Sequence, residues 1–157
     1  MFCMSKALGA PAGSMLAGPA DLIAKGRLYR KRLGGGMRQA GILAAAGLVA
    51  LEESPVKLGV DHANARFLAE GLARIPGIQV DPAKVDTNIV VFDISSSGLA
   101  PADVSARLRG RGVLMNAINQ RCLRAVTHYD VDRAQCAQAV EAVSESMSAS
   151  MAAAKTS

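Results

Sequence analysis

The feature that most constrains the fold is a change of apolar period at Ile75-Pro76-Gly77. Before it, apolar residues recur at helical spacing: Leu43, Leu48 and Leu51, then Leu58, Phe67, Leu68 and Leu72. After it, Ile78-Gln79-Val80 and Asn88-Ile89-Val90-Val91-Phe92-Asp93-Ile94 are short, β-branched and strand-like. The first half therefore predicts packed helices. The second predicts a small antiparallel sheet with helices on one face, an α+β unit.

The elements follow from local signals. Met1-Phe2-Cys3-Met4 is apolar without alternation, as in a strand buried on both faces, and residues 14–17 look like the return strand. Pro19 and Asp21 mark a helix start, and this helix is expected to run to about Leu33 and stop at Gly34. A second helix is predicted over 39–51, packed tightly through alanine and glycine, and a third over 56–74 after Ser54-Pro55. Further on, strands are expected over 78–80, 88–94, 113–116 and 122–127. Pro101 opens a helix to about Arg109 that Gly112 breaks, and Asp130 is the expected cap of a last helix to about Met147. The small-residue stretch that follows reads as a tail.

Composition narrows the function classes. The chain has 157 residues, 50% of them hydrophobic, enough for one packed domain or part of a larger one. Its formal charge of +5 comes with only 3% aromatic residues, so a stacking surface for nucleic acid is poorly supplied and an anionic small ligand accounts for the basic groups as well. Cys3, Cys122 and Cys136 form no C-x-x-C pair, so neither a disulfide framework nor a metal site is expected, and the setting reads as reducing and cytoplasmic. Residues 40–51 are too short to span a bilayer, and 1–5 lack a basic leader followed by an apolar core.

Three places carry candidate chemistry. Lys6 ends a short apolar run and is followed by Gly9, Pro11 and Gly13. Such a lysine is either solvated at a strand end or, with its charge disfavoured by burial or a neighbouring cation, a Schiff-base amine. Gly34-Gly35-Gly36-Met37-Arg38-Gln39 leads into the alanine-rich helix. It is either a linker or an anion site, in which helix-start amides and a guanidinium hold a phosphate. Arg27, Arg30, Lys31 and Arg32 precede it, as a solvated basic face or with Lys31 turned to an anionic site. Arg124 interrupts the apolar run Leu123-Arg124-Ala125-Val126 and either faces solvent or pairs bidentately with a carboxylate. His128 is either catalytic or caps the strand-to-helix turn, and for it, as for His62 within a helix, the structural role is favoured; Asp86-Thr87-Asn88 fits a turn into its strand.

Taken in order, these motifs resemble one family. Ser5-Lys6-x-Leu8-x-Ala10-Pro11-x-Gly13-Ser14, Arg30-Lys31-x-x-Gly34-Gly35-Gly36-Met37-Arg38-Gln39-Ala40-Gly41, Asp61-His62-x-Asn64-Ala65, Thr87-Asn88 and Arg124-x-Val126-Thr127-His128 are similar to the C-terminal part of low-specificity L-threonine aldolases, within the beta-eliminating lyases. Ala7 stands where that family usually has glycine. The resemblance implies an α/β, aspartate aminotransferase-like (fold type I) transferase fold. Residues 1–52 are then the end of the cofactor-binding large domain with an inter-domain helix, 53–149 the small C-terminal α+β domain, and 150–157 a disordered tail. It also implies pyridoxal 5'-phosphate as cofactor, Lys6 as the catalytic lysine bound to it, and Arg38 toward its phosphate. Arg124 then holds the substrate carboxylate and Lys31 lies near the substrate.

The implied reaction splits a β-hydroxy-α-amino acid such as threonine or allo-threonine into glycine and an aldehyde, in a homodimer or homotetramer. In the family a cofactor-stacking histidine, an aspartate for the pyridine nitrogen and a first phosphate loop precede the lysine. The sequence is therefore expected to be a fragment. Another beta-eliminating lyase reaction, and a non-catalytic association module, stand as the alternatives.

Overall fold

A computed structural model describes residues 1–153 of the chain, with side chains described for 1–148. It divides into two compact units, Met1–Leu58 and Gly59–Ser157.

In the first unit, strand β1 (Phe2–Cys3) pairs antiparallel with β2 (Ser14–Met15), with Phe2 opposite Met15 and Cys3 opposite Ser14. The expected strand buried on both faces is not observed: Phe2 is 43% exposed, and only Met4, at the start of the loop, is buried. Helix α1 (Ala20–Arg32) follows Pro19 and carries Asp21 in its first turn and Arg30, Lys31 and Arg32 in its last, which complements the helix dipole at both ends. Gly34, at φ +78°, closes it. Its N–H donates to Lys31 O at 3.3 Å and that of Gly35 to Arg30 O at 2.8 Å, a pair of backward bonds that uses two of the carbonyls in the last turn.

Helix α2 (Gly41–Leu72) replaces the two helices expected on either side of Pro55. A proline removes one backbone donor and crowds the preceding turn, a cost normally large enough to end a helix. Here Glu53 and Lys57 bridge that turn at 3.9 Å, and Ser54 Oγ donates to Leu8 O at 2.7 Å. The division between units consequently falls within α2, after Leu58.

The second unit contains a three-stranded antiparallel sheet in the order β3-β5-β4, with β3 (Ile89–Asp93), β4 (Asn116–Ala117) and β5 (Cys122–Val126). Val90, Phe92, Leu123 and Ala125 form its covered face. They pack with Leu68 and Leu72 of α2, Val104 and Leu108 of α3 (Pro101–Gly110), and Val143 and Met147 of α4 (Arg133–Ala153). The expected strand over 78–80 is reduced to a single bridge, Gln79 with Asp93, between Gly77 at φ +87° and Pro82.

The strand expected from Val113 begins only at Asn116. Val113 N–H closes the end of α3 by donating to Leu108 O at 2.9 Å, and Met115 O accepts from Ser105 Oγ at 2.6 Å. The last helix is capped by Asp132 rather than Asp130. Asp132 Oδ1 accepts from Gln135 N–H at 2.8 Å while Gln135 Oε1 accepts from Asp132 N–H at 2.9 Å, a reciprocal capping box. Helix α4 extends through Ala153, into the stretch read as a tail, and residues 154–157 of that stretch lie outside the described residues.

Candidate active site

Lys6 lies in the loop between β1 and β2, and that loop is held at several points. Met4 N–H donates to Gly13 O at 2.9 Å, Ala10 N–H to Met4 O at 3.0 Å, and Gly9 N–H to Lys6 O at 2.9 Å. The Ser54 hydroxyl fixes Leu8 O from α2. Beneath the loop, Met4, Ala10 and Ala50 form a small apolar cluster with Leu8 packed against it. The Lys6 side chain itself is exposed. A primary amine on a fixed backbone suits attack on a carbonyl, because less backbone freedom remains to be lost when the partner binds. Next to it, Cys3 Sγ lies 3.3 Å from Ser5 Oγ. Hydrogen bonding with Ser5 lowers the Cys3 thiol pKa, with smaller contributions from Ser14 and the Lys6 charge.

Lys31 and Arg38 flank the glycine loop, which is built differently from the sequence expectation. The amides of Gly34 and Gly35 are bonded to the end of α1, and α2 begins only at Gly41, after a turn in which Gln39 has φ +50°. Those two glycines thus terminate one helix rather than cradle an anion at the start of the next. Gly36 lies under the Lys31 side chain: a Cβ there would come within 3.2 Å of Lys31 Cδ and 3.8 Å of Lys31 Nζ, so the lysine would have to shift by a few tenths of an ångström. Arg38 is exposed in the turn before α2, where the first-turn amides have no intrahelical acceptors. A guanidinium, an ammonium and a helix start are the donor types that an anion such as phosphate requires.

Arg124 belongs to the second unit, on the middle strand of its sheet, opposite Val91 of β3 and Asn116 of β4. It is exposed while its neighbours Leu123 and Ala125 are buried, so it stands on the open face. Lys6, Lys31 and Arg38 belong to the first unit. Among the described residues, none of these four side chains takes part in an ion pair or a side-chain hydrogen bond. All four donors are open to an external anion or carbonyl.

The two histidines have other surroundings. His62 lines a cleft with Arg66, Glu70 and Arg133. His128 Nδ1 accepts from Asp130 N–H at 3.3 Å in the turn leading to α4. Sequence reasoning missed Ser54, whose neighbour Pro55 suggested a helix break instead of an anchor for the Lys6 loop. No signal in the sequence pairs its hydroxyl with Leu8. Among the described residues there is no cluster of three or more His, Cys, Asp or Glu suited to a metal ion, and no helix is long and apolar enough to cross a membrane.

This architecture, a short lysine hairpin and long helix joined in sequence to a small α+β unit, is that of the aspartate aminotransferase-like, fold type I enzymes. The structure is similar to 8-amino-7-oxononanoate synthase from Francisella tularensis, with a TM-score of 0.69 at 18% identity over 95% of this chain and 46% of that one. It is also similar to a C-DES mutant solved with glycine covalently linked to its PLP cofactor, with a TM-score of 0.56 at 21% identity over 68% of this chain and 28% of that one. At such identities the likeness concerns the fold alone.

The beta-eliminating lyase family model matches residues 1–95, and the chain belongs to that family. Low-specificity L-threonine aldolase 1 of Arabidopsis thaliana is 44% identical over 82% of this chain and 36% of its own length. Low specificity L-threonine aldolase of Escherichia coli K12 is 41% identical over 87% of this chain and 39% of its own length. The chain therefore spans little more than a third of the length of these curated relatives.

Proposed function

We propose that the chain is the C-terminal part of a pyridoxal-phosphate-dependent aldolase that cleaves L-threonine or L-allo-threonine to glycine and an aldehyde. The observation that carries this reading is the anchored hairpin loop with its exposed lysine: Lys6 is backbone-bonded to Gly9, and Leu8 is fixed by Ser54. The donor set fits the cofactor, with one amine for its aldehyde and basic groups beside a helix start for its phosphate. The threonine aldolases among its relatives support the substrate class.

In this reading Lys6 binds the cofactor covalently, Arg38 neutralises phosphate charge, and Lys31 and Arg124 serve the substrate, Arg124 through a bidentate bond to its α-carboxylate. When bound, the cofactor supplies an electron sink for the carbanion at Cα. Arg124 fixes the carboxylate and thereby orients the bond to be broken, so that alignment is set before reaction. Exposed apolar residues of the first unit, including Leu33 at 84%, Met37 at 63% and Ile42 at 84%, support assembly into a homodimer or homotetramer with the rest of a longer protein. We assign 1–52 to the end of the cofactor-binding domain, 53–149 to the small domain, and the protein to cytoplasmic amino-acid metabolism, in threonine breakdown and glycine formation.

The test is product identity. The chain supplied with pyridoxal phosphate should release glycine and acetaldehyde from L-allo-threonine and no pyruvate from L-serine. Pyruvate from serine without glycine from either threonine would assign it to another beta-eliminating reaction. No turnover, together with no binding of the cofactor, would leave an association module.

A further inference from the structure

The neighbours of Arg124 on the open face of the sheet are Cys122 and Val126 along β5, Val91 opposite it on β3 and Asn116 opposite it on β4. Val126 and Val91 are 40% and 47% exposed, and Ile89, two residues along β3 from Val91, is 45% exposed. The guanidinium therefore stands on a largely apolar surface. Asp93 supplies a carboxylate at the far end of β3, but it is already engaged: Oδ2 accepts from Arg121 Nε at 3.1 Å and Nη2 at 2.8 Å, and Oδ1 from Ser95 N–H at 2.7 Å. Asn116 is not engaged in this way.

Asparagine is a poor strand residue, because its amide competes for nearby backbone groups. The other asparagines of the chain use their amides on the backbone. Asn64 Nδ2 donates to Val131 O at 3.1 Å, Asn88 Nδ2 donates to Thr127 O at 2.6 Å, and Asn119 Oδ1 accepts from the N–H groups of Arg121 and Cys122, each at 2.8 Å. Among the described residues the Asn116 side chain makes no hydrogen bond, and it is exposed beside an Arg124 that is also without a partner.

We propose that Asn116 is a second ligand of the substrate α-carboxylate, donating from Nδ2 to one oxygen while Arg124 holds both; the inference rests on the carboxylate-binding reading of Arg124. Directly opposite residues of an antiparallel pair point to the same face, with Cβ atoms about 4.5–5.5 Å apart. The short Asn116 amide meets a carboxylate held by Arg124 where the longer arginine lies down across β4, and the apolar face gives its methylene stem a surface to lie on. Bidentate bonding uses one lone pair on each carboxylate oxygen and leaves others free for a third donor. Both side chains then act on the charge in an apolar surround, where each bond is stronger than in water. An amine lacking the carboxylate gains nothing from either.

The test needs no turnover. The 157-residue chain, isotope-labelled and free of cofactor, is titrated with sodium acetate and, at equal ionic strength, with sodium chloride. In NMR spectra the Asn116 side-chain amide and the Arg124 Nε–H signals should shift together with acetate and stay in place with chloride. In the chain loaded with pyridoxal phosphate, Asn116→Ala should weaken glycine binding about fivefold or more and leave the binding of ethylamine, which has no carboxylate, unchanged. Asn116→Asp should weaken glycine binding further, since it replaces the donor with a second negative charge. An Arg124 signal that shifts while that of Asn116 stays still overturns the role of Asn116 alone, as does glycine affinity kept in Asn116→Ala but lost in Arg124→Ala. Equal weakening of glycine and ethylamine makes Asn116 a structural residue and overturns its role too. Glycine affinity untouched by Arg124→Ala overturns the assignment of Arg124 itself, and this inference with it.

Discussion

Arg124 stands directly opposite Val91 across the β3–β5 ladder, an exposed cation facing a valine that is 47% exposed. No carboxylate neutralises it among the described residues. A guanidinium so placed contributes little to folding, because exposed side chains outside a network seldom change stability by more than about 0.5 kcal/mol. Arg124→Ala should therefore leave urea unfolding within that margin while weakening glycine binding to the cofactor-loaded chain about tenfold or more. Arg124→Lys should recover only part of the loss, since an ammonium lacks the two-pronged geometry. A parallel loss of stability and binding would contradict this division.

Gly71 of α2 faces Val140 of α4 with no room for a methyl group: a Cβ would fall 2.6 Å from Val140 Cγ2 and 3.0 Å from Cγ1. Overpacking of this kind costs about 1–3 kcal/mol. Gly71→Ala should lose that much in urea unfolding followed by circular dichroism. The double variant with Val140→Ala should regain most of the loss, and no regain would mean that the clash is not the cause.

Acid should act on the second unit through Asp93. Hydrogen bonds from Ser95, and then the Arg121 guanidinium at 2.8 Å, hold its carboxyl below the usual aspartate range. A carboxyl held low in the folded state contributes stability above its unfolded pKa and loses it as pH falls through the folded value. Asp93→Asn should thus be less stable than the unaltered protein at neutral pH. The gap should close as pH is lowered through the aspartate range, below about 4. A gap that widens on acidification would contradict the sign.

The cysteines should separate by reactivity. Ser5 hydrogen bonding lowers the Cys3 thiol, which is partly exposed, whereas burial raises that of Cys136, which is 1% exposed. Only a thiolate attacks. Iodoacetamide at neutral pH should modify Cys3 in the folded chain and reach Cys136 only once urea unfolds it, as read by peptide mass mapping. Modification of Cys136 before Cys3 would contradict this order.

What the sequence made legible depended on whether local chemistry decided the outcome. Helix α3 was readable because Pro101 can start a helix and Gly112 can end one, and the structure uses both residues in those ways. The antiparallel sheet followed from the short β-branched run of β3 and the apolar run of β5 that Arg124 interrupts. Continuity of α2 through Pro55 was not readable, because Ser54-Pro55 reads locally as a helix break, and the bond from Ser54 to the distant Leu8 leaves no mark in the neighbouring sequence. The short β4 was hidden for a similar reason: α3 takes the backbone groups that a longer strand would need.

At the site, residue types pointed to Lys6, Lys31, Arg38 and Arg124. The same glycines that suggested an anion loop close α1 instead, since a glycine after a helix and a glycine before one look alike in sequence. Asn116 was the least visible of all. Only the strand register sets it opposite Arg124, and a register leaves no mark on residue identity.

The most direct test of the central claim is chemical trapping of the lysine. The chain is mixed with pyridoxal phosphate, reduced with borohydride and mapped by mass spectrometry after digestion. A visible absorption band should form before reduction, the label should fall on Lys6, and both should be lost in Lys6→Ala. Label on another lysine with Lys6 unmodified, or a band that persists in Lys6→Ala, would contradict that claim.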